Sequence, residues 1–202
     1  GRVACVALGW ANNETGVVQE IDELSHACRA AGTVLVCDAT QWVGKMPTDV
    51  GTAGFGAGAG TSSDRPGSGL DVMALSAHKW HGVKGTGMLW VRRGVAFPPL
   101  MPGSHELGRR GGTENVPGIL GAGAAARVAA EWLQRPGFGD EMGALRDSLE
   151  KGILERCPGA VVNGAGARRL WNTTNIGFPR LEAEGLLMVL SERGLNASAG
   201  AA

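Results

Sequence analysis

The chain has 202 residues, 44% hydrophobic and 19% charged, with 19 Lys+Arg set against 19 Asp+Glu for a formal net charge of zero. This is ordinary globular material, long enough for one large or two small domains. The even balance argues against a nucleic-acid or anionic-membrane partner, because both require a surplus of Lys and Arg.

No run approaches the roughly 18 uninterrupted apolar residues of a membrane span, and Gly1-Arg2-Val3-Ala4-Cys5 does not read as a signal peptide. A soluble chain is expected, with cytoplasm and organelle both open as its compartment. Without an initiator Met, it opens inside an apolar run and stops at Gly200-Ala201-Ala202 without a closing element, which reads as a fragment. Cys5, Cys28, Cys37 and Cys157 are widely spaced and form no C-x-x-C pair. Reduced, mostly buried thiols are therefore expected, and no metal site.

Val3 to Leu8 is an apolar run without alternation, as in a strand covered on both faces, and the polar cluster Asn12-Asn13-Glu14-Thr15-Gly16 follows it. Ile21, Leu24, Ala27, Cys28 and Ala31 then fall at helical spacing. Glu20, Asp22 and Glu23 sit in the first turn, where the helix dipole favours acids, and Gly32 ends the helix. Thr33 to Cys37 is a second buried strand, closing on Asp38-Ala39-Thr40-Gln41. A right-handed β-α-β crossover makes the two strands parallel, so Asn13 and Asp38 are expected to face one crevice.

Residues 51–70, GTAGFGAGAGTSSDRPGSGL, mix Gly, Ala, Ser and Pro without periodicity. Such a segment offers little to pack and is expected to be a disordered surface insertion. A third apolar run, Val72 to Leu75, ends in Ser76-Ala77-His78-Lys79, and Gly82, Gly85 and Gly87 mark turns before a strand from Met88 to Val91. A third polar cluster thereby joins the crevice.

Beyond His105 the pattern turns helical. Asn115 with Pro117 marks a helix start, Ile119 to Leu133 carries its body, and Pro136-Gly137 breaks it. Met142, Leu145, Leu149 and Ile153 form the next apolar stripe. Short strands at Ala160–Val162 and Thr173–Phe178 precede a helix from about Glu182 to Glu192, a pattern of antiparallel strands with helices on one face. The expected division is a large domain over 1–125 and part of a smaller α+β domain over 126–202.

A lysine beside a histidine at the end of a buried strand loses hydration and gives up its proton more readily than in water. The strand ends also supply the carboxylate Asp38, the amides Asn13 and Gln41, and the hydroxyls Thr40 and Ser76. Pyridoxal phosphate calls for this inventory: a lysine for its aldehyde, an acid for its ring nitrogen, donors for its ring oxygen and hydroxyls for its phosphate. Each residue alone also suits a turn, a cap or a solvated loop. The residues by themselves leave a cofactor site and a generic α/β domain both open.

The runs Ala11-Asn12-Asn13-Glu14-Thr15-Gly16, Asp38-Ala39-Thr40-Gln41, Ser76-Ala77-His78-Lys79, Lys84-Gly85-Thr86-Gly87, Arg110-Gly111-Gly112-Thr113-Glu114-Asn115 and Asn172-Thr173-Thr174-Asn175 closely resemble those of the cysteine desulfurases. These are pyridoxal-phosphate enzymes of the class V aminotransferase fold, and the selenocysteine lyases share the same runs. The resemblance implies a fold-type I α/β architecture: a large domain with a mainly parallel sheet and helices on both faces, and a smaller α+β domain. It implies that L-cysteine is converted to L-alanine, with sulfur passed through an enzyme persulfide to an acceptor such as an iron–sulfur scaffold protein. A selenocysteine lyase and a truncated, non-catalytic domain are the alternatives.

By the same resemblance, Lys79 bonds the cofactor and moves the substrate's α-proton, with the catalytic His78 beside it. Asp38 pairs with the ring nitrogen, Gln41 and Asn13 approach the ring oxygen, and Ser76 with His78 approaches the phosphate. Thr113 corresponds to a threonine that reaches the phosphate of the neighbouring subunit, which implies a homodimer. The family also carries an upstream phosphate-binding turn and a ring that stacks on the cofactor, and a later arginine for the substrate carboxylate. None of these falls within the 202 residues. The tail Ala197-Ser198-Ala199-Gly200-Ala201-Ala202 resembles the loop whose next residue is the family's nucleophilic cysteine, so the chain as given is expected to be inactive.

Overall fold

The computed structural model describes residues 3–50 and 69–200. They divide into two compact units, Gly1–Trp10 with Gln19–Pro136, and Ala11–Val18 with Gly137–Ala202.

The first unit is built on a four-stranded sheet in the order β1-β2-β3-β4: β1 Cys5–Gly9, β2 Val34–Asp38, β3 Val72–Ser76 and β4 Gly87–Val91. The first three strands are parallel and β4 runs antiparallel to β3. Register fixes the faces. Gly9 pairs with Asp38 and Asp38 with Ala74, so the C-terminal ends of β1, β2 and β3 come level at one edge. Leu35, Cys37 and Met73 point to the buried face. Helix α1, Ile21–Ala30, packs against β2. Its buried side is Ile21, Ser25 and Cys28, whereas Ala27 and Ala31, expected in the apolar stripe, are exposed. Ser25 is tolerated there because its hydroxyl donates to the Asp22 carbonyl at 2.7 Å, leaving no bare polar group.

Strand β1 corrects an expectation. It lies at the edge of the sheet, and Cys5, Ala7 and Gly9 on one of its faces are exposed. A continuous apolar run signals burial of at least one face, and here only one is covered. The expected insertion 51–70 falls mostly outside the described residues, but its end does not. Leu70 is fully buried, and the Gly69 carbonyl accepts a bond from Arg29, so both belong to the packed unit. Asp71, the next residue, ties the strands together: its carboxylate accepts from the Leu35 backbone N–H at 2.8 Å and pairs with Arg92.

Helix α2, Val116–Leu133, begins as expected, with the Asn115 side chain accepting from the Gly118 N–H and Pro117 in the first turn. It continues unbroken across 125/126, so the division expected there falls instead at Pro136–Gly137, where Pro and Gly stop the helix. Ala122 of α2 packs on Ala77 and Trp80 in a satellite core.

In the second unit α3 spans Asp140–Arg156, a short antiparallel pair joins β5 Val161–Val162 to β6 Ile176–Gly177, and α4 spans Ala183–Glu192. Met142, Leu145 and Leu149, read as a packing stripe, are exposed. What anchors α3 is polar: Glu150, 8% exposed, takes both guanidinium nitrogens of Arg169 at 2.6 and 2.8 Å and a bond from the Thr174 hydroxyl. Among the described residues no helix is long and apolar enough to cross a membrane.

Candidate active site

An open cleft of about 430 Å³ lies over the exposed face of the sheet at the strand ends, lined by Ala7, Gly9, Val36, Asp38, Thr40 and Ser76 with their neighbours. Small side chains on β1 and β3 leave the room, and the strand ends supply the polar groups. This is where ligands bind in parallel α/β sheets. Of the residues expected from sequence, the fold brings Asp38 and Ser76 to this cleft, together with Thr40.

Asp38 is held through its backbone. Its carbonyl accepts from the Trp10 N–H at 2.8 Å, and the next N–H, of Ala39, donates to the Ala74 carbonyl at 3.0 Å. The side chain is exposed and accepts one local bond, from the Thr40 N–H at 2.9 Å. Its charge is felt next door: burial first, then Asp38, pushes the Cys37 thiol up to about 12. Cys37 is therefore held as an inert thiol.

Ser76 ends β3 and leads into a 3₁₀ turn, Ala77–Trp80, without capping it, so its hydroxyl remains available to the cleft. The turn buries Ala77 and Trp80 and leaves His78 and Lys79 exposed. Gly82 is required behind it, because a Cβ there would stand 2.9 Å from the Ala77 Cβ and carbonyl oxygen. Gln41 lies on the turn that follows Asp38 and is half-buried. Its carbonyl and side-chain oxygens accept from Lys45 Nζ at 3.0 and 2.9 Å. Lys45 is pulled down to about 8, by burial first and then by the charge of Lys79. Lys45 carries no signal in sequence, because residues 41–45 form a turn and not a helix, where a spacing of four would pair side chains.

Thr113 is exposed on a loop of the first unit that Arg110 clamps by donating to the Gly112 and Thr113 carbonyls at 2.8 and 3.1 Å. His105 Nδ1 lies 2.5 Å from Glu114 at the base of that loop. Asn13 belongs to the second unit. In its turn Asn12 Oδ1 accepts from the N–H groups of Glu14 and Thr15, and Asn13 donates to the Glu14 carboxylate at 2.7 Å. The turn is stitched to the later run around Asn175: Leu170 N–H donates to Gly16, Val18 N–H to Arg168 and the Asn175 amide to Glu14. Two of the short motifs quoted from sequence are thus one structural knot. A single sequence gives no sign of that pairing.

The donor set can be matched to pyridoxal phosphate. An exposed carboxylate suits a protonated ring nitrogen, the amide of Gln41 a ring oxygen, and the Thr40 and Ser76 hydroxyls a phosphate; an exposed lysine three residues beyond Ser76 suits the aldehyde. The residues fit the group.

The sequence matches the aminotransferase class-V family over residues 1–202. It is 43% identical to a cysteine desulfurase of Trichormus variabilis over 203 residues, covering all of this chain and 46% of that protein. Among solved structures, a NifS-like protein from Rickettsia africae is similar with a TM-score of 0.83 and 26% identity, over 99% of this chain and 51% of that one. A structure of SspA in complex with cysteine is similar with a TM-score of 0.70 and 29% identity, over 98% of this chain and 50% of that one. The chain spans about half the length of the curated relatives it matches. Family and fold agree: a mainly parallel sheet with helices, of the fold-type I kind found in pyridoxal-phosphate enzymes. The chain belongs to the class-V aminotransferases.

Proposed function

We propose that the protein is a pyridoxal-phosphate-dependent cysteine desulfurase, converting L-cysteine to L-alanine and passing the sulfur, as persulfide, to an acceptor such as an iron–sulfur scaffold protein. One observation carries the reading: Asp38 and Ser76 converge on a single open cleft at the ends of parallel strands, with Lys79 on the turn that Ser76 begins. Similarity to cysteine desulfurases along the whole chain, and to a protein solved with cysteine bound, supports the substrate.

When bound, pyridoxal phosphate supplies an electron-withdrawing ring that drains charge from the substrate's α-carbon. Lys79 provides the amine that holds the cofactor and afterwards carries a proton at Nζ. Asp38 faces the ring nitrogen with an exposed carboxylate that, among the described residues, accepts from the Thr40 N–H, and so favours the protonated ring. Gln41 offers an amide donor to the ring oxygen, and Ser76 with His78 binds phosphate. Thr113, at the tip of its clamped loop, reaches the phosphate held by a second subunit in a homodimer.

The test is release of alanine from L-cysteine by the full-length protein supplied with pyridoxal phosphate, and of sulfide when an excess of a dithiol reductant is present to reduce the persulfide. Equal yields of both, above the rate of free cofactor, are expected. Cofactor binding without either product would overturn the desulfurase assignment and leave another class-V reaction.

A further inference from the structure

The turn after β2 contains a lysine that none of the assigned roles uses. Lys45 Nζ donates to Gln41 twice, to the backbone carbonyl at 3.0 Å and to Oε1 at 2.9 Å. An ammonium has three donors and no lone pair, so it can meet a carboxamide only at the oxygen. Turning the Gln41 amide over would set its NH2 against the ammonium, donor against donor. The Lys45 contact therefore fixes which end of Gln41 is spent and which is free.

The turn that carries both residues is itself held in place. Val43 and Trp42 N–H groups donate to the Ala39 carbonyl, and Lys45 N–H donates to Trp42. Trp42 stacks on Trp10 with ring centroids 4.6 Å apart and planes 3° from parallel. Gly44, at φ +80°, lets the turn press on the 3₁₀ turn of Lys79, where a Cβ would stand 2.4 Å from the Trp80 Cβ. Lys45 is thus delivered to Gln41 by a rigid frame.

We propose that Lys45 is a positioning residue, holding Gln41 by its amide oxygen so that the amide NH2 is the group presented to the ring oxygen of bound pyridoxal phosphate. An ionised ring oxygen accepts hydrogen bonds and needs a donor, so the orientation Lys45 enforces is the productive one. The inference rests on the cofactor reading above.

The experiment measures pyridoxal-phosphate affinity and the absorption maximum of the bound cofactor in the full-length protein, with circular dichroism as the check on folding. Lys45→Met keeps the length and apolar stem but removes the donors. It is expected to weaken affinity roughly tenfold and to shift the absorption maximum. Gln41→Ala should produce the same loss and the same shift, and the double variant should be no worse than either single one. Lys45→Arg, which can still donate to both oxygens, should recover most of the affinity. Wild-type affinity and spectrum in a folded Lys45→Met variant would overturn the proposal, as would losses that add in the double variant. Failure of the unaltered protein to bind the cofactor would instead overturn the cofactor reading on which the proposal rests.

Discussion

Two carboxylates separate the two units of the molecule. Glu150, in the second unit, is bound by Arg169 and Thr174, which hold its carboxyl below the usual glutamate range. Asp38, in the first, sits at the mouth of a cleft and accepts a single bond from the backbone two residues on. A charge whose partners are all supplied by the fold serves the fold. A charge left facing open space is kept for something that arrives later. The same contrast holds for bases: Arg169 is consumed by Glu150, while Lys79 stands exposed beside His78 on a turn that Ala77 and Trp80 anchor by their burial.

Breaking the functional side should give the largest effect. Lys79→Ala is expected to abolish covalent capture of pyridoxal phosphate and reduce turnover to the free-cofactor background, with an unchanged circular dichroism spectrum. Asp38→Asn keeps the shape and the bond from Thr40 but not the charge. Turnover should fall about a hundredfold or more while thermal stability stays within about 0.5 kcal/mol of the unaltered protein. Unchanged turnover would make Asp38 a turn residue and erase its contrast with Glu150.

The structural side should respond in the opposite sense. Glu150→Gln leaves Arg169 without its counter-charge in a buried place and should cost about 2–3 kcal/mol in urea unfolding, with cofactor affinity unaffected. Because the folded-state pKa of Glu150 lies below its ordinary value of 4.5, its contribution is complete above that value and fades as pH falls through the folded pKa. Stability of the unaltered protein should accordingly drop with acidification below about pH 4.5 more steeply than that of Glu150→Gln. Gly44→Ala should also destabilise, by more than the roughly 1–2 kcal/mol of a left-handed backbone alone, because its Cβ would overlap the Trp80 Cβ, with the cleft residues unchanged.

Sequence periodicity revealed the β-α-β core because its signals are local: apolar runs for β1 and β2, a helical stripe with acids in its first turn, and Asn115 with Pro117 opening α2. What stayed hidden depended on partners distant in the chain. Nothing in residues 11–18 shows that they pair with 168–175, and nothing in 51–70 shows that Leu70 is a core residue while its neighbours upstream are glycine and serine. Met142, Leu145 and Leu149 have the spacing of a packed face, yet a pattern reports only that a face exists. For the site, the polar residues after each strand were legible once the strands were parallel, since topology alone sends them to one edge. Lys45 was not, because its role lies in a contact with Gln41 rather than in its own place in a motif.

The most direct test of the account is to locate the cofactor. Borohydride reduction of the full-length protein loaded with pyridoxal phosphate, followed by peptide mass mapping, fixes the pyridoxyl group to whichever lysine carries it. Lys45 is the serious competitor, since burial and the charge of Lys79 bring it down to about 8, where a neutral amine is accessible. The label is expected on Lys79, the exposed amine beyond Ser76, with Lys45 unmodified and occupied by Gln41. Label on Lys45 or Lys84 would contradict it.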